Sequence, residues 1–155
     1  MMSNTWSRVR NLTVVLSYRN AERYAQFRKA LDVMLNQSEV QELWIIVVLP
    51  EAIRKEELPQ HTLISYLGPK DFSFWGKLTD DAIASRMSGK SDMVLWFEMR
   101  DKKPMKLLST LSTKTMVAVG VELPTAQIHI QPTTNDPSEI LTFVQHTLQK
   151  INNYE

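Results

Sequence analysis

Leu43-Trp44-Ile45-Ile46-Val47-Val48-Leu49, stopped by Pro50, is the stretch on which the fold turns. Seven apolar residues in a row, with β-branched side chains at 45–48, describe a strand buried on both faces. Proline has no amide hydrogen to give a neighbouring strand, so the run ends at Pro50. A strand covered above and below needs helices, and the sequence upstream supplies one. Residues 12–16 (LTVVL) are a second buried run, and between the two Asn20 can cap a helix over 21–35. Tyr24, Phe27, Leu31, Met34 and Leu35 then fall on one stripe of that helix. Two strands joined by a helix-length connection run parallel.

The same alternation continues downstream. Residues 51–60 hold at most a short helical turn, and 61–67 (HTLISYL) read as a strand. Thr79, Asp80 and Asp81 open a helix with carboxylates where its dipole favours them. Ile83, Ala84 and Met87 form its buried side, and Gly89 closes it. Residues 91–97 (SDMVLWF) form the next strand. A helix over 101–112 follows, with Pro104 tolerated in the first turn and Leu107, Leu108 and Leu111 on one stripe. A strand over 115–121 follows, then a short one at 127–131 (QIHIQ). Asp136-Pro137-Ser138-Glu139 combines an N-cap, a proline at the first helical position and a glutamate two later. The helix it opens carries Ile140, Val144, Leu148 and Ile151 on one face. These elements define a single α/β domain over 1–155: a three-layer α/β/α sandwich, Rossmann-like or flavodoxin-like, with a mostly parallel sheet of five or six strands. The segment 122–126 is too short for a crossover helix, so 127–131 is expected to pair antiparallel or to extend the sheet edge.

Composition narrows the chemistry. Among 155 residues, 18 Lys+Arg balance 17 Asp+Glu, which leaves no field to gather nucleic acid or an anionic membrane. There is no cysteine, so disulfides, thiolate nucleophiles and cysteine-held metals are out, in keeping with a cytoplasmic protein. The apolar run 12–16 is too short for a signal-peptide core or a membrane span. His61, His129 and His146 are far apart and form no ligand pair, so no metal is expected. Gly68, Gly76, Gly89 and Gly120 sit in neither GxGxxG nor GxxxxGK[ST] spacing, and no GxSxG elbow occurs. No cofactor is expected.

Candidate binding residues come from the loops after the strands, because open α/β sheets take ligands outside the carboxyl ends of their strands. Ser17 and Arg19 follow the first strand and can meet an anion beside the first helix. Residues 67–77 bring Asp71, Trp75 and Lys77, with Phe72 and Phe74, just after the third strand. Trp75 offers a stacking surface there, or a lid on the open end of the core. Glu98, with Asp101, follows the next strand and is a candidate acid/base partner for Asp71.

The segment Lys70-Asp71-Phe72-Ser73-Phe74-Trp75-Gly76-Lys77, followed by Ser91-Asp92-Met93-Val94-Leu95, the leucines at 107–111 and Val119-Gly120, resembles an uncharacterised bacterial family of small α/β proteins, a domain of unknown function. The likeness covers about the second half of the chain. It departs at Gln127-Ile128-His129-Ile130, where that family has an Asp-Leu-Met-Ile type of run. The resemblance implies an α/β fold and no particular activity. Three functional classes stay open: a module binding a small ligand or a partner protein at the carboxyl rim, a small enzyme acting on a nucleotide or phosphorylated metabolite through Arg19, Asp71, Lys77 and Glu98, and a self-associating subunit, such as a homodimer, with Trp75 in its seam.

Overall fold

The computed structural model describes residues 3–73 and 77–153. Its strands are β1 (Ser3–Asn4), β2 (Asn11–Ser17), β3 (Glu42–Val48), β4 (Ile64–Leu67), β5 (Ser91–Phe97), β6 (Thr113–Val119), β7 (Ile128–Ile130) and β8 (Asn152–Asn153). Its α-helices are α1 (Ala21–Asn36), α2 (Asp81–Met87), α3 (Lys102–Leu108) and α4 (Pro137–Lys150). Strands β2 to β7 form one six-stranded sheet in the order β4-β3-β2-β5-β6-β7, with every pairing parallel. Counted along the sheet strands alone, this is the 3-2-1-4-5-6 order of the Rossmann fold.

That order sorts the layers. Crossovers in parallel sheets are right-handed, so connections moving one way cover one face and those moving the other way cover the opposite face. The leftward connections are α1 and the 49–63 loop. Their Phe27, Leu31 and Met34, with the half-buried Ile53 and Leu58, pack with Ile140, Val144 and Leu148 of α4 on one side of the sheet. The rightward connections are α2, α3 and the 120–127 loop. Their Leu108, Val121 and Leu123, with the half-buried Ile83 and Met87, pack on the other side. Along β2 the alternation is visible residue by residue: Leu12, Val14 and Leu16 face α1 and α4, while Val15 faces the opposite layer. Trp96 is fully buried under α3, and its indole N–H donates to the Met99 carbonyl at 2.9 Å, so the large ring goes inside with no unmet donor.

Helix ends follow the sequence closely. Asn20, Asp80 and Asp136 cap α1, α2 and α4 through their side chains. The cap of α2 is thus Asp80, one residue past Thr79. The helix expected over 101–112 is only Lys102–Leu108, because Ser109 closes it and 109–112 turn directly into β6. Residues 51–60 contain a single 3-10 turn at Lys55–Glu57.

Two features depart from the sequence reading. The antiparallel option for 127–131 is wrong: Ile128–Ile130 extends the edge parallel to β6, pairing with Val117–Val119. Eight residues connect them without a helix, and that suffices because three paired residues span only about 10 Å while eight extended residues reach about 26 Å. The connection turns at Gly120, whose φ of +69° suits glycine, and buries Val121 and Leu123 in place of a helix. Secondly, β1 and β8 form a small antiparallel ribbon joining the two ends of the chain. The Thr5 amide beside it donates to the Ile151 carbonyl at 2.8 Å.

Candidate functional site

The carboxyl ends of all six strands open on one rim, and two places on it differ in character. The first is the switch point between β2 and β5, where the connections depart to opposite faces. Here β2 runs into Ser17, buried Tyr18 and Arg19, and Asn20 starts α1 by accepting the Arg23 amide at 2.8 Å. Across the gap, β5 ends at Phe97 and the chain turns at Glu98 with a φ of +57°. Glu98 is the one described residue other than glycine with a positive φ. Its carboxylate meets two guanidinium groups: Oε2 takes Arg19, and Oε1 takes Arg23 Nη2 at 2.8 Å. Arg23 also donates through Nη1 to the Asn135 carbonyl at 2.7 Å, which draws the start of α4 into the cluster. Gly120 closes the site from β6; a methyl group there would lie 3.2 Å from Glu98 Cγ. What remains among Ser17, Arg19, Arg23, Phe27, Phe97 and Glu98 is a cavity of about 10 Å³, the limit for one water.

The second place lies at the ends of β3 and β4. Leu49 and Ile53 form an apolar floor, the 51–56 segment forms one wall and Gly68–Asp71 the other, around a cleft of about 540 Å³. That is the size of a small-molecule site. A buried carboxylate faces it: Asp71 is 8% exposed, accepts the Gly68 amide at 2.7 Å through Oδ2, and holds Lys55 Nζ at 2.5 Å through Oδ1. Arg54 and Lys70 balance Glu51 and Glu56 around the mouth, so no net charge dominates.

The 49–63 wall is anchored from behind. The Arg28 guanidinium donates to Tyr24 Oη at 3.4 Å, Tyr24 and Tyr66 hydroxyls lie 3.3 Å apart, and Tyr66 donates to the Pro59 carbonyl at 3.1 Å. Burial, and next the Tyr24 hydroxyl, push the Tyr66 pKa upward.

The six sequence candidates divide accordingly. Ser17, Arg19 and Glu98 meet at the switch point, and Asp71 belongs to the cleft. Lys77 is exposed, its amide held by Ser73 Oγ at 3.1 Å. Trp75, with Phe74, lies outside the described residues. Asp71 and Glu98 are not an acid/base pair: β3 and β2 stand between their strands, a separation of about 14 Å across three strand spacings. Arg19, Asp71, Lys77 and Glu98 accordingly do not converge on one pocket.

Sequence reasoning missed Arg23 and Lys55. Arg23 had a signal, because a basic residue in the first turn of a helix opposes the dipole and calls for a compensating anion. Lys55 had none, since its partner is sixteen residues away on the far side of β4. Among the described residues no three His, Asp or Glu side chains gather as a metal set, and no helix is long and apolar enough to cross a membrane. The arrangement is that of a Rossmann-type α/β domain without a glycine phosphate loop. Comparison with protein-family models and with curated proteins finds no match.

Proposed function

We propose that this protein is a cytoplasmic binding module that takes a small ligand at the carboxyl rim of its sheet, in the cleft at the ends of β3 and β4. The observation carrying this reading is the cleft itself: about 540 Å³, floored by Leu49 and Ile53, with the Lys55–Asp71 pair at its side. A fitting ligand has an apolar body to lie on the floor and a polar end to exchange hydrogen bonds with Lys55 and Asp71. The lack of cysteine supports the cytoplasmic placement. The motifs at 70–77, 91–95 and 107–120 support placing the chain with the uncharacterised α/β family they resemble.

Gly68 gives a direct test. A Cβ at this position would meet nothing closer than Asp71 Oδ2 at 3.8 Å, an ordinary contact, so a side chain can start here at the edge of the cleft. In a thermal-shift screen of nucleosides, sugars and amino-acid derivatives, a ligand at a hundred times its dissociation constant stabilises the protein by roughly 2.7 kcal/mol. Gly68→Phe is expected to abolish the shift given by each hit while leaving the unliganded melting temperature unchanged. A hit that binds Gly68→Phe as well as the wild type removes the cleft from consideration.

A further inference from the structure

The switch point holds a charge arrangement that the cleft does not use. Two guanidinium groups, Arg19 and Arg23, are bridged by one carboxylate, with one oxygen on each. This is the contact pattern a phosphate-type oxyanion makes with an arginine pair. The Asn20 side chain already caps the Arg23 N–H at the start of α1. The cations are side chains, and they are set at a helix start, where positive charge is least welcome.

The carboxylate occupies its place under constraint. Glu98 adopts a left-handed backbone conformation and is confined by Gly120 on one side. On the other side the site is open: the Arg19 side chain keeps 49% of its surface in solvent, against 16% for Arg23 and Glu98. An anion can therefore approach through Arg19, and Glu98 can leave by the same route. Beyond Glu98, the start of α3 presents Lys102 and Lys103, both exposed and without an acidic partner among the described residues, beside Asp101.

We infer that Arg19 and Arg23 form an oxyanion site that Glu98 keeps filled from within, and that its external ligand is a phosphate-bearing small molecule competing with the Glu98 carboxylate. This site is separate from the cleft at β3 and β4, and its test does not depend on that cleft.

The experiment measures pyrophosphate binding by calorimetry at fixed ionic strength. Wild type is compared with Glu98→Ala, with Glu98→Gln, and with Glu22→Gln, which removes the same charge from the first turn of α1 without touching either arginine. Glu98→Ala and Glu98→Gln are expected to bind at least about tenfold more tightly than wild type. Glu22→Gln should match wild type, and adding Arg23→Met to Glu98→Ala should remove the gain. Should Glu98→Ala fail to fold by circular dichroism, Glu98→Gln, which keeps the side chain's shape, decides alone. Equal affinity in the Glu98 variants and wild type overturns the inference. So does an equal gain in Glu22→Gln, which would mean a diffuse field rather than a site. Repeating the titration in Gly68→Phe separates the two readings, since filling the cleft leaves this binding untouched.

Discussion

The switch point and the β3–β4 cleft lie on the same rim, two strand spacings apart, yet one is closed and the other open. Between β2 and β5, where the topology of a Rossmann sheet opens a crevice, Arg19, Arg23 and Glu98 close it to about 10 Å³. At the ends of β3 and β4, where the topology promises nothing special, an irregular loop stands off the sheet and leaves about 540 Å³. The difference teaches that strand order sets where a rim can be open, while a few side chains decide where it is. Each of the following changes acts on one of the two places or on a control.

The largest effect is expected at the filled place. Arg23→Met removes one side of a mostly buried ion pair and leaves Glu98 and the Asn135 carbonyl short of a donor. A loss of about 2 kcal/mol in urea denaturation is expected, below the full penalty of a wholly buried pair because both side chains retain 16% exposure. A loss under about 0.5 kcal/mol would mean that the cluster does not hold the switch point shut. Gly120→Ala comes next: it forces a side chain into a left-handed conformation and against Glu98 Cγ, for about 1–2 kcal/mol.

At the open place, Tyr66→Phe deletes the bond to Pro59 that anchors the cleft wall. About 1 kcal/mol is expected, together with faster amide exchange confined to 53–59. Exchange that rises equally along α1 would show the relay steadies the helix instead. Gly68→Phe belongs at the bottom of the scale for stability, within about 0.5 kcal/mol, while removing ligand binding.

The opposite rim provides the control. Asp92, the second residue of β5, accepts the amides of Arg10 and Asn11 at 2.9 and 3.0 Å. Burial alone would raise its pKa. The two amides and Lys114 outweigh that and hold it below the usual carboxylate value. A group with a lowered native pKa contributes stability in full above its unfolded value, roughly 4, and loses it as pH falls through the native value. Wild-type stability should therefore drop more steeply than that of Asp92→Asn in an acid titration below about pH 4. Identical slopes would show that Asp92 titrates alike in the folded and unfolded chains.

The fold is largely legible in the sequence. Buried runs such as 12–16 and 43–49 show no polar alternation, and only a helix-covered parallel sheet accommodates them. Asn20, Asp80 and Asp136 mark helix starts because their side chains satisfy amides only a few residues away. The β1–β8 ribbon left no trace in the sequence, since two-residue strands carry no period. The parallel pairing of β7 was equally hidden, because it depends on how little of that strand is paired.

Sequence by itself therefore determined the main strands and helices, the caps of α1, α2 and α4, and the α/β class, for these rest on neighbours within one turn or one strand. It also put Ser17, Arg19, Asp71 and Glu98 on one rim, because each follows a strand. Only the tertiary structure decided which of them meet. Glu98 lies 75 residues from Arg23 and Asp71 lies 16 from Lys55, and both pairings are fixed by strand order and by where the chain turns. A charge meets its partner through space, and the spacing of residues along a chain does not encode that distance.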